Sequence, residues 1–190
     1  MEENTDFKDG RANFYDLNLN VSHKLNDKII IRLNTYGSSD RFAFDRDTTF
    51  MYQNRSFNLG WTHYFSDRLE GEFVAGRDHY QFGIEGRDNP SNGYNFGFGI
   101  KQDFFKANFS YEYDLRHTFT FGLNTIRYRL NPGFIEPAGA ESIVFPEEVN
   151  PEQALETSIY IGDNFEVTDE FSINFGMRYA VYNYLGPNTI

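Results

Sequence analysis

Apolar and polar residues alternate along most of this chain. Between residues 15 and 22, the apolar side chains of Tyr15, Leu17, Leu19 and Val21 are separated by single polar residues. The same spacing of two returns in residues 29–34, with Ile30 the exception, and in residues 57–65, 69–76, 94–101, 107–114, 118–124, 155–162 and 171–181. A period of two is typical of β-strands with one apolar face, and no segment of convincing length has the period of a helix. The pattern predicts an all-β protein.

Short and long connections separate the predicted strands. Short polar turns are predicted at residues 26–28, 66–68, 114–117 and 166–170. Longer connections, rich in Ser, Asp, Gly or Pro, are predicted at residues 37–47, 83–91 and 131–152. About eight strands joined in this order form an antiparallel up-and-down sheet. Strict alternation of short and long connections is typical of outer-membrane barrels, which have short periplasmic turns and long extracellular loops.

One stretch allows two interpretations. The apolar residues from Tyr94 to Ile100 have even numbers, whereas those from Ala107 to Tyr113 have odd numbers. Either a hairpin turn lies between them, or one long strand contains a β-bulge that resets the faces. Residues 101–106 contain no Gly, Pro or Asn, which are the usual turn residues. We therefore favour a single long strand with a bulge.

The length of the strands favours a membrane over a soluble sheet. A barrel strand crosses a bilayer in about 9–11 residues, whereas strands of soluble sandwiches usually have about 5–6. Several runs exceed the first value. Aromatic residues near predicted strand ends fit interfacial girdles: Tyr64, Phe65, Phe119, Tyr182 and Tyr184. The polar face is small and rich in Gly, so it would fill an eight-stranded interior poorly. The prediction is a transmembrane β-barrel segment of about eight long strands from a larger barrel.

The composition narrows the function classes. The 190 residues include 21 Phe and 13 Tyr, no Cys, and a formal net charge of −11. The negative charge argues against nucleic acid as a partner, and the lack of cysteine excludes disulfides and thiol chemistry. No apolar stretch reaches the roughly 20 residues of a membrane helix. The acidic start, Met1 to Asp6, has no apolar signal-peptide region, so we expect residues 1–190 to form one barrel segment without a signal peptide.

The sequence offers no pattern for a catalytic, cofactor or metal site. The four histidines (His23, His63, His79, His117) lie on different segments, which favours structural or interfacial roles. Asp40, Asp45 and Asp47 lack the spacing of a calcium loop and are expected to form a solvated acidic loop. No G-x-S-x-G elbow is present. Charged residues on the predicted polar face are interpreted as wall-stabilising pairs or as the lining of a substrate path: Arg32, Glu70, Glu72, Glu112, Glu156 and Arg178.

From about Ser56 onward, three stretches resemble the barrel of TonB-dependent outer-membrane receptors, especially the Bacteroidetes type. His117 to Asn124 is similar to an H-x-hydrophobic-x-F-G turn-to-strand motif, and Glu152 to Asp163 to a strand that ends in Y-x-x-D. Phe171 to Tyr179 is similar to an L-x-L-x-x-G-x-R-Y strand. Their order and spacing make the resemblance more specific than each stretch alone.

The resemblance implies a barrel of about 22 strands in the outer membrane, with a plug and a TonB box supplied outside this chain. This chain is then a mid-barrel fragment of a receptor that takes up a siderophore, a vitamin or a glycan. The implied partners are outer-membrane lipid, the remainder of the barrel and its plug, the TonB complex through that plug, and the ligand. Residues Asn131–Glu152 are implied to form an extracellular, ligand-contacting loop.

Two other functions remain open at this stage. One is a complete small barrel with a role in adhesion or membrane stability, and the other is a barrel hydrolase. The face assignment itself makes a prediction: Arg in place of Phe121 or Phe175 impairs membrane assembly, whereas Arg in place of Asn124 or Asn174 is tolerated much better.

Overall fold

A computed structural model describes residues 10–44 and 47–187. Within these residues the chain forms eight long strands, one two-residue strand and one turn of 3-10 helix at Pro90–Asn92. The strands are β1 (Arg11–Asn26), β2 (Ile29–Ala43), β3 (Thr48–Ser66), β4 (Leu69–Gly86), β5 (Tyr94–Glu112), β6 (His117–Pro137), β7 (Glu147–Glu148), β8 (Glu152–Thr168) and β9 (Phe171–Pro187). In the part of the chain that the structure describes, no helix is long and apolar enough to cross a membrane.

The strands form one sheet in the order β1-β2-β3-β4-β5-β6-β8-β9, and the short strand β7 pairs with β6. Each long strand is antiparallel to the next strand in this order. The antiparallel up-and-down arrangement predicted from the alternation is therefore confirmed.

The turns agree with the predictions better than the long connections do. Turns lie at residues 27–28, 67–68, 113–116 and 169–170. The predicted loops at 37–47, 83–91 and 131–152 are too long, because β2, β4 and β6 continue to Ala43, Gly86 and Pro137. Backbone pairing with the neighbouring strand extends these strands through residues without apolar alternation. The β2–β3 connection, residues 44–47, is then no longer than the turn at 113–116, so the strict short–long order is wrong at that point.

Strand β5 is continuous, but the predicted bulge within residues 101–106 is wrong. Its pairing with β4 runs without interruption from Tyr94 opposite Gly86 to Tyr111 opposite Leu69. The irregularity lies elsewhere, between Gly97 and Gly99 in the pairing with β6. Because successive side chains point to opposite faces, Phe98 and Phe109 lie on opposite sides of the sheet.

The pairing registers define two faces for the whole sheet. Odd-numbered residues lie opposite odd-numbered residues from β1 to β9, apart from single irregularities at other strand ends and the pairing of residues 94–97 with residues 134–137, where the register is shifted by one. We call the two sides the odd face and the even face. We call the part of each strand next to the turns at residues 27–28, 67–68, 113–116 and 169–170 the turn half, and the remainder of the strand the loop half.

Candidate functional site

The odd face is apolar in the turn half. One row of directly opposed residues crosses seven strands: Ile31, Trp61, Phe73, Ala107, Leu123, Ile159 and Tyr179. The rings of Trp61 and Phe73 stack with centroids 5.0 Å apart. Trp61 is 41% exposed, Ile159 56% and Tyr179 68%. Ile31, Phe73 and Leu123 are half-buried, and Ala107 is buried. An apolar surface that crosses seven strands and is largely accessible needs an apolar cover.

The even face is polar in the same half, as predicted. Arg32 donates to the Thr62 hydroxyl at 2.6 Å and lies 3.5 Å from Glu72. The Asn34 amide donates to Asn58 at 3.0 Å. All six charged residues predicted for this face lie on it by register: Arg32, Glu70, Glu72, Glu112, Glu156 and Arg178. Of these residues, Arg32 and Glu72 form a pair, in agreement with one of the two interpretations.

The two faces exchange character in the loop half. There the even face carries a contiguous set of rings from β2 to β5, which we call the aromatic platform: Phe42, Phe50, Tyr52, Tyr80, Phe82 and Phe98. Ring centroids are 5.2 Å apart for Phe42 and Phe50, 4.9 Å for Tyr52 and Phe82, and 5.2 Å for Phe82 and Phe98. The odd face opposite the platform is polar and charged.

Sequence reasoning missed the aromatic platform. It assigned most of residues 37–47 to a loop and used a bulge to place Phe98 on the same face as Phe109. The signal that was available is the change from even to odd aromatic positions between Tyr94 and Tyr113. The correct interpretation is a straight strand whose aromatic residues move from one face of the sheet to the other.

The aromatic residues predicted to form an interfacial girdle lie on both faces of the sheet. Phe65 lies beside Gly71 on the odd face, as a membrane girdle requires. Tyr64 lies on the even face by register, since it pairs with Glu70. Tyr182 and Tyr184 also lie on the even face and line a cavity of about 320 Å³ together with Tyr128 and Glu156. Tyr182 and Tyr184 have even numbers, whereas the apolar residues of the band in β9 have odd numbers. The two tyrosines therefore lie on the face opposite the apolar band.

The three motif stretches meet around Tyr160. Its ring lies beside Gly122, where an added Cβ atom would be 2.8 Å from the ring and 2.4 Å from the carbonyl oxygen of Ala107. The Tyr160 hydroxyl donates to Asn108 at 3.0 Å, and the Arg178 guanidinium lies 5.7 Å from the ring centroid. Tyr160 therefore explains why the first motif needs a glycine and the third an arginine.

A second contact between motifs lies on the odd face near the turns. His117 Nδ1 donates to Asp163 Oδ2 at 2.7 Å, and the imidazole stacks on Phe165 with centroids 4.5 Å apart. The Asp163 side chain is only 7% exposed. Pairing with the imidazole offsets the cost of burying this carboxylate. The interpretation of His117 as a structural residue agrees with this geometry.

The remaining predicted candidates do not converge on a site. His63 lies between aromatic neighbours, with its centroid 4.4 Å from that of Phe65. Asp40 belongs to β2 and pairs with Tyr52 of β3, so the prediction that it lies in a loop is wrong. Asp45 lies outside the described residues. Among residues 10–44 and 47–187, no group of three or more His, Cys, Asp or Glu side chains is arranged to hold a metal ion.

The predicted ligand-contacting loop is shorter and more ordered than expected. Of residues Asn131–Glu152, the first part belongs to β6, and β7 pairs with Phe134 and Ile135. The Ser142 hydroxyl donates to the carbonyl of Gly93 at 2.6 Å, and the backbone N–H of Ile143 donates to Ser91 at 2.9 Å. These bonds hold residues 138–151 against the β4–β5 connection.

Comparisons with known proteins agree with this architecture. The family model for the TonB-dependent receptor-like β-barrel matches residues 2–189. A crystal structure of BauA, the ferric preacinetobactin receptor of Acinetobacter baumannii, is similar in fold, with a TM-score of 0.63 and 11% sequence identity. The similarity covers 94% of this chain and 36% of the BauA chain. No curated protein matches the chain. Members of the matched family are outer-membrane transporters and not enzymes. The chain belongs to the family of TonB-dependent receptor β-barrels.

Proposed function

We propose that this chain forms part of the wall of a TonB-dependent uptake barrel in the outer membrane. Its even face lines the lumen, and the turn half of its odd face contacts lipid. The observation that carries the proposal is the apolar row from Ile31 to Tyr179, which is largely accessible on one face while the same strands carry Arg32 and Glu72 on the other. Lipid is the cover that matches a band of this kind.

The loop halves of the strands continue the wall beyond the membrane. Leu123, at the centre of the apolar band, and Arg127, in the first row with charges, are four residues apart along β6, or about 13 Å. Beyond Arg127 the odd face is polar and suits water, so the aromatic platform on the even face lies inside the barrel above the lipid. The six rings are half-buried, and half-buried rings inside a barrel mouth still provide a stacking surface for a ligand.

We assign the aromatic platform as a ligand-contacting surface, in addition to the loop at residues 138–151. Its stacked rings favour a ligand with a flat apolar face, such as a siderophore with aryl groups, a ring-containing vitamin or a glycan. Polar groups at its border supply hydrogen bonds: the Ser56 hydroxyl donates to Asp78 at 2.6 Å, and Asn54 donates to Ser38 at 3.2 Å.

The chain supplies one arc of such a barrel. It spans about a third of the length of the BauA chain that it matches. In this proposal residues 1–190 are a single barrel segment, and the plug and the contact with the TonB complex come from other parts of the receptor. The cluster of Gly122, Tyr160 and Arg178 joins the three motifs on which the Bacteroidetes-type assignment rests.

Single cysteines test the orientation, because the chain has none of its own. In the complete receptor in outer membranes, Thr120→Cys on the even face should react with a water-soluble maleimide. Leu123→Cys in the apolar band should not react unless detergent is added. On intact cells, a maleimide too large to enter the barrel should label Glu141→Cys in the loop and not Asp67→Cys in the turn. Labelling of Leu123→Cys in intact membranes would contradict the proposal.

Uptake measurements test the aromatic platform. A panel of labelled siderophores, vitamins and oligosaccharides is supplied to cells with and without TonB, which identifies the ligand by its TonB-dependent uptake. Phe82→Ala, at the centre of the platform, should then lower uptake at least tenfold at equal receptor levels. Phe134→Ala, outside the platform, is the matched control. Equal uptake by the Phe82→Ala variant and the native receptor would remove the platform from the ligand path.

A further inference from the structure

Directly above the apolar band, the odd face carries a row of basic residues. Arg55, His79, Lys101 and Arg129 lie opposite one another on four consecutive strands, β3 to β6. Cross-strand neighbours of like charge repel each other. A row of this kind is unusual in a chain whose formal net charge is −11.

The row below it, one step closer to the band, adds further cations. Arg77, Asp103 and Arg127 are directly opposed there. The carboxylate of Asp103 accepts hydrogen bonds from both Arg77 and Arg129, so its two oxygens are already used. Arg127 donates to the neutral Gln153 at 2.5 Å. The two rows together have an excess of positive charge that Asp103 does not balance.

Two cations in the upper row have no acidic partner. Within the described residues, no carboxylate lies within salt-bridge distance of Arg55 or Lys101. Both side chains are exposed. The next row toward the loops is neutral, with Gln53, Gln81 and Asn131 among its members. The excess charge thus lies in two adjacent rows of the odd face, which are about 7 Å apart along the strands.

A groove joins this charge to the apolar band. It has a volume of about 940 Å³ and is lined by Leu59 and Ala75 in the row nearest the turns, by Phe57, Arg77 and Asp103 in the next row, and by Leu17, Arg55 and His79 in the row nearest the loops. Gly37 lies on its border, and a Cβ atom at that position would meet nothing within 4 Å. The end of the groove next to the turns is therefore apolar, and basic residues join its lining toward the loops, at the level of Leu17, Phe57 and Asp103.

We propose that this groove binds a phosphorylated lipid of the outer leaflet, with acyl chains against Leu59 and Ala75 and a phosphate at its basic end, held by Arg55 in the groove and by Lys101, which lies beyond His79 in the same row. The proposal rests on the proposed function, which places the odd face toward lipid. Arginine matches phosphate oxygens with paired donors, and basic residues at the membrane surface attract anionic headgroups. An anion between Arg55 and Lys101 also relieves the repulsion along the row. A free phosphate would use the cationic end alone, whereas the lipid uses both ends.

The test measures lipid binding to the complete receptor, purified in a neutral detergent, with lipid A carrying two phosphates as the probe. Dephosphorylated lipid A is the second probe, and inorganic phosphate is the competitor. The native receptor should bind the phosphorylated form at least tenfold more tightly, and inorganic phosphate at about 100 mM should not displace it. Equal binding of the two lipids, or displacement by phosphate alone, would overturn the proposal.

Three variants locate the binding. The pair Arg55→Gln and Lys101→Gln should weaken binding of phosphorylated lipid A about tenfold or more, because each cation at a membrane surface contributes to anion attraction. The control pair Lys28→Gln and Arg116→Gln removes the same charge at the turn end and should change binding less than twofold. Gly37→Leu fills the groove without changing the charge, and it should weaken binding of the lipid too. If the two double variants weaken lipid binding equally, the phosphate is attracted by the overall charge of the protein, and the proposed site is rejected.

Cysteine labelling separates failure of this proposal from failure of the proposed function. If Leu123→Cys is protected and Thr120→Cys reacts, but lipid binding shows no phosphate preference, only the lipid site is rejected. If Leu123→Cys reacts with the water-soluble maleimide, the membrane orientation is rejected, and the lipid site with it.

Discussion

Arginine in place of Leu123 is the sharpest test of the membrane-facing surface. Leu123 lies at the centre of the apolar band: Phe119 next to the turn and Arg127 in the first charged row are each four residues away, or about 13 Å along the strand. Its direct neighbours across the sheet are Ala107 and Ile159, so an arginine here has no carboxylate beside it.

The expected cost follows from this depth. Arginine on the lipid face of a barrel costs about 2–4 kcal/mol near the bilayer midplane and about 0–1 kcal/mol near the interfaces. Leu123→Arg should therefore lower the free energy of unfolding by roughly 2–4 kcal/mol. Phe121 lies two residues closer to the turn, so the burial of an arginine in lipid should cost less free energy at this position than at Leu123. Phe121→Arg also removes the stacking of Phe121 on Phe109, whose ring centroids are 5.2 Å apart.

The control is Thr120→Arg, on the even face of the same strand. Thr120 is exposed and lies between Ser110 and Gly162, which leaves room for a longer side chain. We prefer it to Asn124, which lies directly opposite Lys106 and would bring two cations together. Thr120→Arg should change the free energy of unfolding by less than about 1 kcal/mol.

The measurement is equilibrium unfolding in urea of the complete receptor refolded into phospholipid vesicles, with gel mobility before and after heating as a check of folding. The reasoning is refuted if Leu123→Arg and Thr120→Arg lower stability equally. It is also refuted if Thr120→Arg is the more damaging change, since that result would place the even face toward lipid.

Three further predictions concern the motif contacts and a turn. Gly122→Ala should lower the free energy of unfolding by a few kcal/mol because its Cβ atom overlaps the carbonyl oxygen of Ala107 and the Tyr160 ring, while Gly37→Ala, with open space around it, should change urea unfolding little. Asp163→Asn should cost about 1–3 kcal/mol in the same assay by weakening the hydrogen bond from His117, and a cost below 0.5 kcal/mol would contradict this role for the pair. The backbone N–H groups of Arg116 and His117 hold the pKa of Asp114 below its ordinary value of 3.8. Stabilisation by this lowered pKa is present above about pH 4 and is lost as pH falls through the folded value. Asp114→Asn should therefore lose less stability than the native protein between about pH 5 and pH 3, measured by urea midpoints at each pH, and parallel losses would argue against the mechanism.

The alternation of residues was sufficient to predict the strands in the turn half and their order. Leu17 with Leu19 and Phe121 with Leu123 show the period of two because one face meets an apolar medium and the other a polar one. Short turns between such strands leave antiparallel pairing as the simple solution. The motif residues were also visible in the sequence, but not that Gly122, Tyr160 and Arg178 pack on one another, because they come from three different strands.

Only the tertiary structure decided which way the side chains of the loop half point. A change from odd to even aromatic positions is compatible with a turn, with a bulge, or with a straight strand whose faces exchange character. The uninterrupted pairing of β5 with β4 selects the straight strand. Phe98 then faces Phe82 on the even side, while Lys101 joins Arg55 and Arg129 on the odd side. The sequence by itself determined a membrane-type sheet; pairing between strands, which depends on backbone hydrogen bonds with distant residues, decided where its aromatic platform and its basic row lie.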